Sequence, residues 1–454
     1  MTGVFLKRIF CSDPASDTYF QAMSRFLIVI LFFLCFPLQD AISCTAVVIS
    51  GNATPDGRPL LWKHRDTDCL DNRLEFFRGE RFCFTGLVNS GGNIAPSASP
   101  SDREVWIGAN TAGFSIMNTA SYNIKDDDVP QSFMDREGVL IFKALGTCKN
   151  IRDFENFLDT LSRPMGVEAN FGVIDAEGGA AMYEVNNSSY VKYDVNDPSV
   201  APDGYLVFTN FSFSGRKEDY KGYERYLTAS AVFGEAVRNG TDFTPEFIFD
   251  SLSRSFRHEF LGVDYTRDLR MMMESGMCSG IVPDQDFIPR RSTSASVVVQ
   301  GTVPGGDPLE TVMWTLLGYP PCGVAVPVPV AERDIIPGFM KASGESGHSP
   351  MCDISLDIKY RHVFRFSLSN GSEYLDLRRL LCGDGDTPSI ISCCRKVESG
   401  IIEDFFALYS VYIAGEISRE TFLDRYGTMS GDFFSAYSRE MDRFVLKQLT
   451  VPRL

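Results

Sequence analysis

The stretch Ala41-Ile42-Ser43-Cys44-Thr45-Ala46-Val47-Val48-Ile49-Ser50 joins the end of an apolar run to a β-branched segment, with a cysteine at the junction. After it, Asn52, Pro55, Asp56 and Gly57 supply a turn, and Pro59–Arg65 reads as the return strand. The sequence therefore predicts a β-hairpin that opens at Cys44. Before it, Arg25 leads into the apolar segment Phe26–Phe36, which has signal-peptide length and is too short for a comfortable membrane span. Ala41 and Ser43 stand three and one positions before Cys44, the small-residue pattern that a signal peptidase reads. Residues 1–43 are thus read as a signal peptide, and cleavage after Ser43 makes Cys44 the first residue of an exported, periplasmic or secreted chain.

The leader carries Lys7, Arg8 and Arg25 against Asp13, Asp17 and Asp40, so the remaining 411 residues keep the full net charge of −16. An acidic exported protein is a poor match for nucleic acid or an anionic membrane surface. With 44% hydrophobic residues and 36 phenylalanines the chain has material for a large core, and no segment after the leader is apolar for long enough to span a bilayer. Ten cysteines follow the leader; Cys382, Cys393 and Cys394 are candidates for disulfides, and buried thiols are the plainer expectation. No pair of C-x-x-C motifs exists and His64, His258, His348 and His362 are far apart in sequence, so a zinc site is not expected.

Further strands are predicted at Leu74–Arg78, Arg81–Val88, Val105–Ala109, Phe114–Thr119, Asn170–Asp175, Ala180–Val185, Tyr205–Asn210, Ser294–Gly301 and Thr311–Leu317. Ile151, Phe154, Leu158 and Leu161 recur at helical spacing, and Thr244-Pro245-Glu246 reads as a capped helix start. Blocks of strands separated by blocks of helices suggest helices packed on layered sheets rather than a parallel α/β fold. After Val324–Val330 the pattern turns aromatic and helical, with Phe433, Tyr437, Met441 and Phe444 on one face behind a candidate cap at Ser430. No catalytic motif is found in that region.

A cysteine at a chain start carries a thiol with an ordinary pKa near 8.5 and an α-amine near 7.7–8.0. The amine can accept the thiol proton, so the residue is nucleophile and base together and needs no histidine. Asp66, at the far end of the hairpin, is a candidate to hold the amine, although as an isolated residue its plainer reading is a solvated turn carboxylate. Asn110 and Asn210 each end an apolar strand, where an amide can donate to an oxyanion or simply shape a turn.

Taken in order, Cys44-Thr45-Ala46, Lys63-His64-Arg65-Asp66, Asn110 with Gly113, and Thr209-Asn210 resemble the landmarks of the N-terminal-nucleophile hydrolases. More narrowly they are similar to the branch of choloylglycine hydrolase, penicillin V acylase and the fungal isopenicillin N acyltransferase. Cys-Thr followed by Val-Val-Ile, Asp-Gly-Arg-Pro-Leu-Leu-Trp-Lys and Asn-Thr-Ala-Gly-Phe-Ser is closest in wording to the acyltransferase-like set. The likeness covers about Cys44–Val330. It implies an α+β fold, a four-layer αββα sandwich of two antiparallel sheets between helices over 44–330, to which the helical pattern of the tail adds a mainly helical C-terminal extension over 331–454. It also implies Cys44 as nucleophile, Asp66 orienting its amine, Asn210 and secondarily Asn110 at the oxyanion, and an arginine near the thiolate within Pro289–Thr293, Arg290 slightly before Arg291. Such an arginine depresses a thiol's pKa. The choloylglycine branch has arginine where this chain has Lys63, so bile-salt or penicillin V specificity does not follow.

The resemblance implies a small-molecule N-acyl amide substrate, no cofactor and no metal, and leaves a homo-oligomer open. Hydrolysis of a linear, non-peptide amide through S-acyl-Cys44 is the leading reading, and transfer of the acyl group to an amine is its alternative. A rival from another class takes Ala41-Ile42-Ser43-Cys44 as a lipobox and the protein as a lipid-anchored binding module. Against it, position 41 is alanine and a strand begins directly after Cys44 without a tether. N-terminal sequencing and intact mass of the exported protein are expected to give an unmodified Cys44 terminus; a diacylglycerol adduct on Cys44 would establish the rival.

Overall fold

In a computed structural model, residues 43–90, 103–124, 129–366 and 373–445 are described. The expected signal peptide, up to Ile42, lies outside them, as do residues 446–454. The first hairpin is β1 (Ser43–Ile49) and β2 (Leu60–Asp66), paired Ser43 to Asp66, Cys44 to Arg65 and Ala46 to Lys63. On the far side of β1 lies β10 (Tyr205–Phe208), and on the far side of β2 lie β14 (Thr293–Gln300), β15 (Val312–Leu317) and β16 (Val326–Pro329). These six strands form one antiparallel sheet.

A second, seven-stranded antiparallel sheet runs in chain order through β3 (Asn72–Arg78), β4 (Cys83–Asn89), β5 (Ile107–Asn110), β6 (Ser115–Ala120), β7 (Ala169–Ile174), β8 (Ala180–Val185) and β9 (Tyr190–Asp194). Two-strand pairs, β11 (Arg257–His258) with β12 (Val263–Asp264) and β13 (Ile281–Pro283) with β17 (Tyr374–Asp376), complete the strands of the described residues.

The sheets stack through the apolar end of the hairpin's inner face: Val48 and Leu61 meet Gly172 of β7, where a Cβ would lie within 3 Å of both side chains and of Met117. Helix Glu137–Thr147 packs on the outer face of the second sheet, and Tyr223–Asn239, Pro245–Ile248, Pro350–Ile358 and Ile390–Ile413 pack on strands of the first. The architecture is the αββα sandwich. The residues marked as strands in the sequence form strands within one or two residues of the predicted ends, and Thr244 Oγ1 accepts from Phe247 N at 3.1 Å as the predicted cap.

One expectation is corrected and one strand is added. The added strand is β16, within the Val324–Val330 stretch that precedes the aromatic, helical region; it is an edge strand whose Pro327 and Pro329 are tolerated because only one side of it is paired. Ser430 caps nothing: it lies inside helix Arg419–Val445, and its Oγ donates to Gly427 O at 3.1 Å within the same helix. The ten described cysteines are all free thiols, so the disulfide alternative for Cys382, Cys393 and Cys394 is not realised and the plainer expectation of unpaired thiols holds.

Helices Ile390–Ile413 and Arg419–Val445 form an antiparallel pair joined by a five-residue turn, with Phe405 and Tyr409 facing Phe422. The pair covers the outer face of the first sheet: Phe405 meets Trp314 edge-on at 5.5 Å, and Tyr426 and Tyr437 donate to the carbonyls of Pro327 and Cys322. Buried Arg254 forks onto Glu398 at 2.9 and 2.5 Å, and Glu398 also accepts from Ala325 N. Glu398→Gln takes the forked carboxylate from buried Arg254 and leaves it only the half-exposed Asp250 at 3.3 Å, so it is expected to cost about 3 kcal/mol in urea unfolding. A change below about 1 kcal/mol would contradict a structural role for this bridge.

Candidate active site

Strand alternation sorts the hairpin residues onto two faces. Cys44, Lys63 and Arg65 share the inner face with Val48 and Leu61; Ser43, Thr45, His64 and Asp66 share the outer one. Lys63 Nζ crosses the gap to Trp106 O at 3.1 Å, Asn118 O at 2.7 Å and Asn118 Oδ1 at 2.8 Å. Arg65 lies over the Trp106 ring at 4.8 Å and donates to Asn72 Oδ1 at 2.6 Å and Asn89 Oδ1 at 2.9 Å. Burial lowers Lys63 to about 8 and Arg65 to about 10, with Cys44 opposing the shift in both. The thiol, 2% exposed, thus points into a dry space walled on the β2 side by two cations whose direct hydrogen-bond partners are neutral.

Asn210 arrives through the pairing of β10 with β1. Its Oδ1 accepts from Cys44 N at 2.8 Å, Ser43 Oγ at 2.9 Å and Arg225 Nη2 at 3.0 Å, and its Nδ2 donates to Ala120 O at 3.0 Å. Arg225 also donates to Cys44 O at 2.6 Å, Thr45 Oγ1 at 2.9 Å and Ser43 Oγ at 2.6 Å. One guanidinium therefore grips both residues of the Ser43–Cys44 peptide.

Asp66, opposite Ser43, is fully buried. Its carboxylate accepts from Thr293 Oγ1 at 2.7 Å and Arg290 Nε at 2.9 Å. Burial raises its pKa, while Arg290, Arg225 and Thr293 pull against the shift. Arg290 is also paired with Asp286, which lies 3.3 Å from Arg225 Nε, so a single carboxylate links the two arginines. Burial opposes the charge on Arg290, but Asp66, Asp286 and Asp284 outweigh it and hold the guanidinium above its usual value.

Of the expected residues, Cys44 and Asn210 meet directly, and Asp66 and Arg290 meet directly one residue away along the β1–β2 pair. The guanidinium of Arg290 is engaged by Asp66 and Asp286, and the cations paired along β2 with the Cys44 face are Lys63 and Arg65. Arg291 turns away to Glu373 at 2.9 Å. Asn110 is a correction. It shares the outer face of the second sheet with Gly108, which abuts Leu145; its Nδ2 donates to Leu145 O and Cys148 O, and its Oδ1 accepts from Ala112 N and Phe114 N. It shapes the β5–β6 turn and has no place at the oxyanion.

Arg225 and Asp286 carry no motif in the sequence, and Thr293, the last residue of the Pro289–Thr293 segment, has no role assigned to it there. A signal existed for Arg225: Thr228, Ala229 and Val232 follow it at helical spacing on the buried stripe of its helix. As for metals, Asp71, His348 and Asp353 bring ligand atoms within 4.8 Å of one another at the surface, where the hydrogen bond between His348 Nδ1 and Asp353 Oδ1 at 3.2 Å accounts for the same arrangement.

No family model and no curated protein matches the chain. Among solved structures it is similar to a Caenorhabditis elegans N-acylethanolamine-hydrolyzing acid amidase ortholog (16% identity, TM-score 0.38, 58% of this chain and 94% of that one). It is also similar to a variant of conjugated bile acid hydrolase from Clostridium perfringens (10%, 0.34, 60% and 89%) and to penicillin V acylase from Agrobacterium tumefaciens (12%, 0.31, 63% and 86%). At such identities and TM-scores none of the three bears on this chain's chemistry.

His64 lies 4.0 Å from Asp66 Oδ1, a distance that makes an ion pair only with a protonated ring. Burial, then the charges of Arg225 and Arg290, push its pKa down to about 3, so the ring is neutral. Below the unfolded value of about 6.5 the unfolded chain takes a proton that the folded chain refuses. Stability is therefore expected to fall as pH drops from about 6.5 towards about 3, by up to about 5 kcal/mol. His64→Gln should blunt this loss in urea titrations at pH 7 and 4.5; equal losses in both proteins would refute the neutral buried ring.

Proposed function

We propose that this protein is an exported N-terminal-cysteine amidohydrolase that cleaves a linear, non-peptide amide C–N bond of an N-acyl compound. The observation that carries the reading is the Cys44 nitrogen, bound to Asn210 Oδ1 at 2.8 Å and flanked by the Arg225 guanidinium, on a residue whose thiol is buried beside Lys63 and Arg65. Cleavage after Ser43 turns that amide nitrogen into an α-amine, with Asn210 and Asp66 as neighbours to orient it.

The thiol then gives its proton to the amine, and the sulfur attacks the substrate carbonyl carbon. The resulting oxyanion is held by the Asn210 amide. Collapse breaks the C–N bond, the amine's proton passes to the leaving nitrogen, and S-acyl-Cys44 remains. Water attacks the thioester, gives a proton back through the α-amine, and releases the carboxylic acid and the free thiol. Asp66 keeps the amine in place through both halves; Arg290 and Thr293 fix the carboxyl group and favour its ionised form against the effect of burial.

Cys44→Ser is expected to lower turnover severely with an unchanged far-ultraviolet circular dichroism spectrum, and alkylation of Cys44 to abolish it. Asn210→Ala should reduce kcat by about 10²–10³-fold. Full amidase activity in the serine variant would rule the mechanism out.

A further inference from the structure

Lys359 lies 66 residues beyond Thr293, in the C-terminal extension, at the start of the π-helical turn Lys359–Val363 that continues helix Pro350–Ile358. Single π turns recur at functional positions. Its side chain is fully buried. The ammonium donates to the carbonyls of Arg291 and, at 3.1 Å, Thr293, and lies 5.0 Å from the Tyr319 ring centre and 5.5 Å from those of Tyr360 and Phe364. Among the described residues no carboxylate comes within ion-pair distance of it. A buried cation without a direct counter-ion is costly.

The two carbonyls it holds belong to the segment that supports Asp66. Thr293 N closes a turn on Arg290 O at 3.0 Å, Arg290 N is bound by Thr293 Oγ1 at 2.9 Å, and the pairing of β14 with β2 shifts register between Thr293 and Ala295. A register shift of this kind re-aims side chains at the end of a strand. Here it leaves the Arg290–Thr293 turn bridged to the extension through Lys359, while Arg290 Nε and Thr293 Oγ1 reach the two oxygens of Asp66.

We propose that Lys359 is a positioning residue for Asp66: its ammonium ties the carbonyls of Arg291 and Thr293 and so fixes the turn from which Arg290 and Thr293 hold the carboxylate. This makes the C-terminal extension part of the catalytic apparatus, and the inference rests on the N-terminal-cysteine reading above. The charged or titratable groups around Lys359 are Asp284, Asp66, Cys322, Cys352, Arg291, Tyr319 and Tyr360; those around Asp66 are Arg290, Arg225, Asp286, Asp284, Lys63, His64, Tyr319 and Lys359 itself.

Lys359→Met in the full chain keeps the volume and removes both the hydrogen bonds and the charge. It is expected to lower kcat by on the order of 10–100-fold with KM within about twofold. The acid limb of the kcat profile should move to higher pH, because Asp66 loses groups that favour its ionised form. Amide exchange over Arg291–Ser294 should quicken while the rest of β14 is unchanged.

Unchanged kcat and acid limb, or a fall of kcat, KM and thermal midpoint together, would overturn the proposal. Should Lys359→Met not fold, Lys359→Gln, which still donates one hydrogen bond, is expected to show a smaller shift of the same kind, and wild-type behaviour in it would count as failure. A wild-type enzyme indifferent to Cys44 alkylation would instead refute the N-terminal-cysteine reading itself.

Discussion

Asp66 has no exposed surface, and a carboxylate so placed costs several kcal/mol unless hydrogen bonds and charges meet it. That requirement organises the surrounding molecule. The hairpin supplies the carboxylate, the segment Asp286–Thr293 supplies a guanidinium and a hydroxyl, and helix Tyr223–Asn239 supplies Arg225. Asp286 then offsets the two arginines against each other, and burial notwithstanding, they hold its own pKa below the usual carboxylate value. Networks of this kind are weak contributors to stability when compared with a well-packed apolar alternative. Their presence next to the Ser43–Cys44 peptide is better explained by geometry that must be kept.

The pleat of the β1–β2 pair sets what that geometry can do. Cys44 and Asp66 lie diagonally across the pair on opposite faces, so the thiol enters the gap between the sheets while the carboxylate faces the helical layer. His64 shares the carboxylate face, bound to Thr293 Oγ1 at 3.3 Å and held neutral, and its place on the sheet keeps it from the thiol. The main-chain nitrogen of Cys44 lies between the two faces, already within reach of Asn210. A nucleophile whose base is its own terminal amine suits this arrangement, because no side-chain base has to cross the sheet.

Much of the fold was legible because it rests on local patterns. The β-branched run after Cys44, the turn around Pro55 and Gly57, and the helical spacing from Ile151 to Leu161 each encode their element without help from distant parts of the chain. The hairpin also gave Cys44 and Asp66, since register follows once the turn is placed. Asn110 shows the limit: a strand-end asparagine was visible, but which face of its sheet it takes is set by what packs there, and the carbonyls of Leu145 and Cys148 that bind its amide belong to a later helix and its end. Ser430 shows another, where an apolar stripe packed on the first sheet carries a helix through a residue that would otherwise begin one. Arg225 and Thr293 reach the hairpin across more than 150 residues, and no local pattern records that meeting.

The charge of the site runs against that of the chain. A protein of net charge −16 gathers Lys63, Arg65, Arg225 and Arg290 around one strand pair, with Asp66 and Asp286 as the acids hydrogen-bonded within the group. On the inner face the two cations rest on neutral oxygens and the Trp106 ring, partners that satisfy hydrogen bonds without cancelling charge. Such an excess in a dry space raises the cost of the folded state and lowers that of any anion formed there. On the proposed reaction two anions form in succession beside Cys44, at sulfur and then at the carbonyl oxygen. The cations are in place before either appears, so no reorganisation has to accompany the chemistry, and the cost of holding them falls on the packing of the sheets.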